Sequence, residues 1–290
     1  MQQFINGLSL GSSCALLGVS VALVWGVLRV LSFAQTQLMT WGAFGSLLAL
    51  RWDAPVLVAV LAGIAVAVAI SAVIDIALFN RLRNQQAGEF AFVVVTIGVA
   101  QVLSSVAAMR TENQAVSFPR QGFPVEPLTV FGQNVPRLSV VMMVFTLVAM
   151  VVLGYWLQRT RSGMAVRAVA FDAETAELLG INSRRVFATC FMVSGGMAAV
   201  AGIFFAASAA QLSHTSNDSL LLVAFAATVI GGLGSIPGAV IGGLAVGMIS
   251  VYSTVWVSPA FREAVAMLAI LVVLVVRPQG ILGAKATERV

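Results

Sequence analysis

Val56–Phe79 reads VLVAVLAGIAVAVAISAVIDIALF, and the connection Asn80–Glu89, NRLRNQQAGE, follows at once. Apart from Asp75 the first stretch has no ionisable group, and it exceeds the roughly 20 apolar residues that a spanning helix needs. Backbone groups in lipid must find partners within their own element, so the run reads as a transmembrane α-helix. Arg81 and Arg83 in the short connection assign that end to the cytoplasm by the positive-inside rule. Asp75 lies one to two turns before them, which predicts an ion pair near the interface rather than a proton relay.

The rest of the chain resembles this stretch. It is 60% hydrophobic and only 9% charged, with a mean hydropathy of +1.00, which excludes a soluble globule. The reading is an all-α polytopic membrane protein, a single transmembrane domain over residues 1–290. About eight apolar runs are long enough to be spans: Phe4–Leu28, Ala34–Leu50, Val56–Phe79, Phe90–Met109, Leu138–Leu157, Val186–Ser208, Leu220–Tyr252 and Pro259–Val276. The start of the chain lacks the basic region and cleavage pattern of a signal peptide, so it is expected to stay in the membrane. Cys14 and Cys190 fall inside apolar runs and read as small buried hydrophobes, and the lone His214 has no neighbour with which to build a metal site. The net charge of +5 is spread over loop ends, a pattern of topology and headgroup contact rather than of nucleic-acid binding.

Alternation of sides follows from the loops. Residues 110–137 are long, mixed in charge and rich in proline (Pro119, Pro124, Pro127, Pro136), as expected of an external, periplasmic segment. Residues 158–185 then fall in the cytoplasm, the N-terminus outside and Arg29 at the inner face. This second loop, QRTRSGMAVRAVAFDAETAELLGINSRR, concentrates Arg159, Arg161, Arg167, Arg184, Arg185, Asp172, Glu174 and Glu177, and reads as a docking surface.

Two segments resist the simple pattern. Arg277, Lys285 and Arg289 argue for a cytoplasmic tail, yet an odd number of crossings must separate it from an external Ser208. Leu220–Tyr252 contains VIGGLGSIPGAVIGGLAVG, whose glycines and Pro237 an uninterrupted helix would not carry. A break around Gly231–Gly238 gives a short helix, a turn and a second helix, a segment able to re-enter. Such breaks line pathways in transporters. The spacing Gly234, Gly238, Gly242 equally suits close helix packing. The other segment is Ser32-Phe-Ala-Gln-Thr-Gln-Leu38. Its amides either face a bundle interior or cap a helix at the membrane surface, and Arg29 as a boundary marker favours the surface.

No Walker loop, Gly-x-Ser-x-Gly elbow or His-Glu-x-x-His helix is present, so no enzyme is indicated. The apolar runs offer almost no ionisable groups for ion-coupled transport, and the driving energy must come from elsewhere.

Several strings together resemble a family. Asn6-Gly-Leu-Ser-Leu-Gly11, Gly26-Val-Leu-Arg-Val-Leu-Ser-Phe-Ala34, Thr96-Ile-Gly98, Arg161-Ser-Gly-Met-Ala-Val-Arg-Ala168, Leu178-Leu-Gly-Ile-Asn182, Val229-Ile-Gly-Gly-Leu-Gly-Ser-Ile-Pro-Gly-Ala239 and Arg277-Pro-Gln-Gly-Ile-Leu-Gly283 are similar to the permease subunit of bacterial branched-chain amino acid ABC importers. The resemblance spans residues 6–283. It implies an inner-membrane protein that forms a pore with a second, related permease. Two cytoplasmic ATPases, which carry the ATP and Mg, would drive it; this chain itself would bind no cofactor. A periplasmic binding protein would deliver branched-chain amino acids or a related small solute. The resemblance also implies a cytoplasmic coupling helix at Asp172–Leu179, with Gly180 as its stop. Its docking residues would be Arg167, Asp172, Glu174, Ala176, Glu177, Leu178, Leu179, Gly180, Ile181 and Asn182. Candidate pathway residues are Gln35, Thr36, Gln37, Thr96, Gly231, Gly232, Gly234 and Ser235. Members commonly read Phe-Ala-His-Gly-Glu where this chain has Phe33-Ala-Gln-Thr-Gln37, so both titratable groups are lost. Urea, an amide or a small organic acid is the alternative cargo. A stand-alone carrier or channel is the alternative class, and a purely structural subunit would leave the glycine break without a purpose.

Overall fold

The computed structural model describes residues 2–85, 87–119, 123, 127–130, 133–214, 218–256, 262–277 and 280–282. Lys285, Arg289, Pro124 and Pro259, which figured in the sequence reading, lie outside them.

Over its described residues each apolar run is built of helix, Leu220–Tyr252 with a break at residues 232–235. The long elements are α1 (Gln2–Leu28), α2 (Gln35–Arg51), α3 (Val56–Ile74), α5 (Glu89–Thr111), α6 (Arg137–Arg159), α9 (Ser183–Ala209), α11 (Ile236–Trp256) and α12 (Arg262–Val276). A π-helical turn, Asp75–Phe79, joins α3 to the short α4 (Asn80–Asn84). Among the described residues six helices are long and apolar enough to cross a membrane: α1, α3 with α4, α5, α6, α9 and α11.

The glycine-rich run is two helices, α10 (Asp218–Gly231) and α11, joined by a tight turn. Gly232 and Gly234 take φ of 105° and 83° there, a region L-residues avoid. The two helices then lie so close that a Cβ on Gly231 would meet the backbone of Gly238, and one on Gly242 the backbone of Ala227. The backbone therefore bears out the close-packing reading of these glycines.

The centre is built from α1 and α9. The α1–α11 pair runs antiparallel with Gly7 against Met248, Gly11 against Leu244, Gly18 against Ala239 and Gly26 near Gly234. In lipid no hydrophobic force drives helices together, so this dispersion contact between small residues is what holds the pair. On α9, Gly195 takes Ser71 of α3 and Gly202 takes Met39 of α2. Phe79 packs edge-to-face on Phe92 and tilted on Phe191, at centroid distances of 5.6 and 5.0 Å, where the π-helical turn, α5 and α9 converge.

One end of the bundle is closed by strands that the proline-rich segment hid. β1 (Val116–Ser117) pairs antiparallel with β4 (Gln211–Leu212), and β2 (Pro127–Val130) with β3 (Gln133–Pro136). Phe118 and Phe123 are buried under them. At the opposite end α7 (Arg161–Phe171) and α8 (Ala173–Leu178) fold back beneath α6 and α9. The chain end also returns there: Ile281 and Leu282 donate backbone hydrogen bonds to Ile230 and Gly231, at 2.8 and 3.0 Å, strapping the hairpin.

Candidate functional site

The α7–α8 elbow is fixed by local chemistry at each joint. Thr160 caps α7, its Oγ1 accepting from Gly163 N at 3.0 Å. Gly163 is obligatory because a Cβ would collide with the backbone of Trp156 and Leu157. Asp172 caps α8, accepting from Glu174 N at 3.1 Å and Thr175 N at 3.2 Å, which satisfies amides left orphaned by a helix start. The C-terminus closes as a Schellman motif: Ile181 N donates to Ala176 O at 3.0 Å and Gly180 N to Glu177 O at 2.9 Å, with Gly180 at φ 84°. Asn182 Oδ1 then accepts from Arg185 N at 3.1 Å, starting α9. Ser183 Oγ donates to the Glu177 carboxylate and ties α8 to α9.

This frame presents apolar side chains outward. Leu178 and Leu179 are 88% and 77% exposed, and Phe171, at the end of α7, is 76% exposed. Phe171 is the docking candidate that the sequence reading passed over. Its signal was an aromatic ring between charged residues on a short helix. Ala176 corrects the expectation in the other direction. It is buried against Val166, Val169, Val186 and Cys190, because the one-turn helix must bury one face to stay docked, and it offers no outward contact. Arg167, Glu174 and Asn182 are exposed and Ile181 is half-buried. A hollow of about 410 Å³ opens beside the α8–α9 junction, lined by Glu177, Gly180, Ile181, Asn182 and Arg184.

Nearby, Asp75 pairs with Arg83, which also donates from Nε to Phe79 O at 3.2 Å and lies 4.9 Å over the Phe187 ring. The ion pair expected near this end exists, with Arg83 and not Arg81 as the partner. Arg184 donates to Asn84 Oδ1 at 2.6 Å and joins α9 to α4.

The second candidate region lies deeper. Gln35, Thr36 and Gln37 are buried, so the surface-capping reading fails. The chain turns back at Arg29, where φ is 53°, and starts α2 inside the bundle. Ser20 Oγ donates to Gln35 Oε1 at 2.9 Å and Gln35 Nε2 to Ser194 Oγ at 2.7 Å, linking α1, α2 and α9. Ser20 precedes the end of α1 by eight residues, about 12 Å at 1.5 Å per residue. Thr96 of α5 accepts from Phe33 N at 3.3 Å and holds the α1–α2 link. Thr36 and Gln37 line an open cavity of about 280 Å³, together with Gln101 and Ser104 of α5. Gly231, Gly232, Gly234 and Ser235 do not join them. They form the hairpin tip, where Gly234 faces Gly26, Gly232 faces Gly280, and Ser235 Oγ accepts from Gly238 N at 3.2 Å.

Residues 3–275 match the protein family described as branched-chain amino acid transport system, permease component. The high-affinity branched-chain amino acid transport system permease protein LivH of Escherichia coli (strain K12) is 30% identical over 303 residues, covering 100% of this chain and 97% of the relative. BraD of Pseudomonas aeruginosa, with the same description, is 28% identical over 302 residues, covering 100% and 98%. Among solved structures, a chain of PsaBC from Streptococcus pneumoniae in complex with Fab is similar in fold alone, with a TM-score of 0.50, 11% identity and coverage of 96% and 91%.

Proposed function

We propose that this chain, which belongs to the family of branched-chain amino acid transport system permease components, forms half of the translocation pathway of an ATP-driven importer. It is a transport subunit of the ABC type, and its cargo class is branched-chain amino acids or a related small polar solute. In our reading it resides in a bacterial inner membrane with the N-terminus outside, the strand-capped end facing the periplasm and the α7–α8 elbow in the cytoplasm. The α10–α11 pair descends to the inner face and returns as one segment, and with α2, which starts within the bundle, and α12 it brings the total to about eight membrane segments. Two ATPase subunits, holding ATP and Mg, dock from the cytoplasm, and a binding protein docks from outside.

The observation that carries this reading is the elbow. Three large apolar side chains, Phe171, Leu178 and Leu179, project from a frame capped at every joint. Exposed apolar groups on a rigid support favour a protein partner. A second permease is supported by α5, where Gln101 and Ser105 are exposed in the middle of an apolar helix. Polar groups at such depth face protein or a water-filled path rather than lipid.

The test is a mild-detergent pull-down of the tagged chain from its native membrane with mass spectrometry of its companions. Recovery of an ATPase and a second permease is expected. Recovery of the chain alone, active in liposomes without ATP, would replace this reading with a stand-alone carrier.

A further inference from the structure

The hairpin tip and the returning chain end form a second apolar surface at the elbow end of the bundle. Gly280, at φ 77°, lies so close that a Cβ on it would come within 2.5 Å of Gly232 N. Ile281 and Leu282 then run along the last turn of α10 and take up the carbonyls of Ile230 and Gly231, which a helix end leaves orphaned. Arg277 Nη1 donates to Ile281 O at 3.3 Å. A strap pinned by its backbone in this way leaves its side chains free: Leu233 on the tip, Ile281 and Leu282 are 40%, 41% and 46% exposed. Gly234 faces Gly26 at the end of α1, the most buried of the six spans. Ile236 shares a buried cluster with Val166 and Val169 of α7 and Ala176 of α8. The tip therefore sits beside the elbow, over the body of the bundle rather than at its lipid-facing edge.

Resting on the permease reading above, we infer that the hairpin tip and chain end are a second docking patch for the cytoplasmic ATPase, which meets it with an apolar surface rimmed by acidic side chains. Three part-exposed apolar side chains on a backbone fixed by hydrogen bonds favour a protein partner, for the reason that holds at the elbow. A headgroup layer is the less suited occupant, because Gly26 and Ile236 tie the tip to the most buried helix and to the core of the elbow. The two patches differ in charge. Glu174 and Glu177 stand exposed beside Leu178 and Leu179, whereas Arg29, just beyond Gly26, and Arg277 are exposed beside the tip. Arg29 has no acid partner among the described residues. Opposite rims on neighbouring patches orient one partner, since turning it round would set like charges together.

The test places a benzophenone on one cysteine of the purified chain, which is then reassembled into the complete importer in membrane vesicles. Cys14 and Cys190 are buried, so Leu282→Cys supplies an accessible thiol at the strap, and Leu178→Cys supplies one at the elbow. Cross-linking of Leu282→Cys to an ATPase subunit is expected, as from Leu178→Cys. Leu233→Ser with Ile281→Ser keeps the backbone hydrogen bonds of the strap and should lower ATPase co-purification about fivefold, the scale of losing an anchor at an interface. The melting temperature of the chain should not move. Arg29→Glu should slow ATPase association about tenfold at low salt and leave dissociation unchanged. Cross-linking of Leu282→Cys only to lipid or to another permease, with Leu178→Cys still reaching the ATPase, overturns the patch and leaves the permease reading standing. Full ATPase recovery with the double serine variant, or a loss accompanied by a lowered melting temperature, overturns it equally. Failure of both cysteines to reach an ATPase, with none recovered by the unaltered chain, overturns the permease reading itself.

Discussion

The elbow end of the bundle and its middle handle polar groups differently. At the elbow end the polar contacts are charged: Asp75 with Arg83, Glu177 with Ser183, Arg184 with Asn84. In the middle they are neutral: Gln35 with Ser20 and Ser194, Thr96 with the Phe33 amide. Side chains near an end can reach water and headgroups, and an ion pair there gives up only part of its hydration. A group about 12 Å further in has no such outlet, and amides and hydroxyls can be satisfied by a neighbouring helix at far lower cost than an ion. The difference teaches that charge marks the end of the bundle, whereas neutral hydrogen bonding marks where helices meet one another.

Substitutions break or sharpen that contrast. The largest effect is expected for Arg83→Met, which strands Asp75 buried without its partner and should cost about 3–5 kcal/mol. Thermal unfolding in detergent measures it. Adding Asp75→Asn should restore most of the loss, and a double variant as unstable as the single one would mean that the pair is not the anchor of this end. Gly180→Pro comes next, because proline cannot adopt φ 84° and removes the amide that closes α8. A cost of about 3 kcal/mol is expected locally, with membrane insertion retained and ATP-driven uptake lost. Normal uptake would separate the elbow from coupling.

Leu178→Asp with Leu179→Asp should lower ATPase co-purification at least about tenfold, the loss of one or two well-packed interface anchors. The melting temperature of the chain should not move, since both side chains are exposed. Ala176→Asp, one turn away and buried, should do the opposite. If all three behave alike, the division of α8 into an inward and an outward face is wrong. The smallest effect is expected for Gln35→Leu: about 0.6–1.7 kcal/mol, the range for hydrogen bonds between membrane helices. A loss as large as that of Arg83→Met would show that the middle is not the more tolerant region.

The elbow end was partly legible in the sequence, and the middle was not. Gly180 announces the end of α8 because capping is a local matter, decided by residues two to four positions apart; α7 and the caps at Thr160, Asp172 and Asn182 went unread. Ala176 was misread because one turn of helix has no hydrophobic periodicity to show which face turns inward. The amides of Gln35 and Gln37 were misread because Arg29 looked like a boundary marker. Their depth depends on where α2 begins relative to α1 and α9, and the partners at Ser20 and Ser194 are 15 and 159 residues from Gln35 along the chain. The glycines of the hairpin carried two readings of equal weight until Gly231 was seen against Gly238 and Gly234 against Gly26.

By itself the sequence determined the class of protein, the apolar helices and the short helix that Gly180 stops, since each follows from composition or from neighbours along the chain. Only the tertiary structure decided which glycines are contacts, which face of α8 is buried and that Thr36, Gln37, Gln101 and Ser104 share one cavity. Those facts arise from helices distant in sequence meeting in space, and in a membrane core, where nearly every residue is apolar, periodicity carries little information about which helix will meet which.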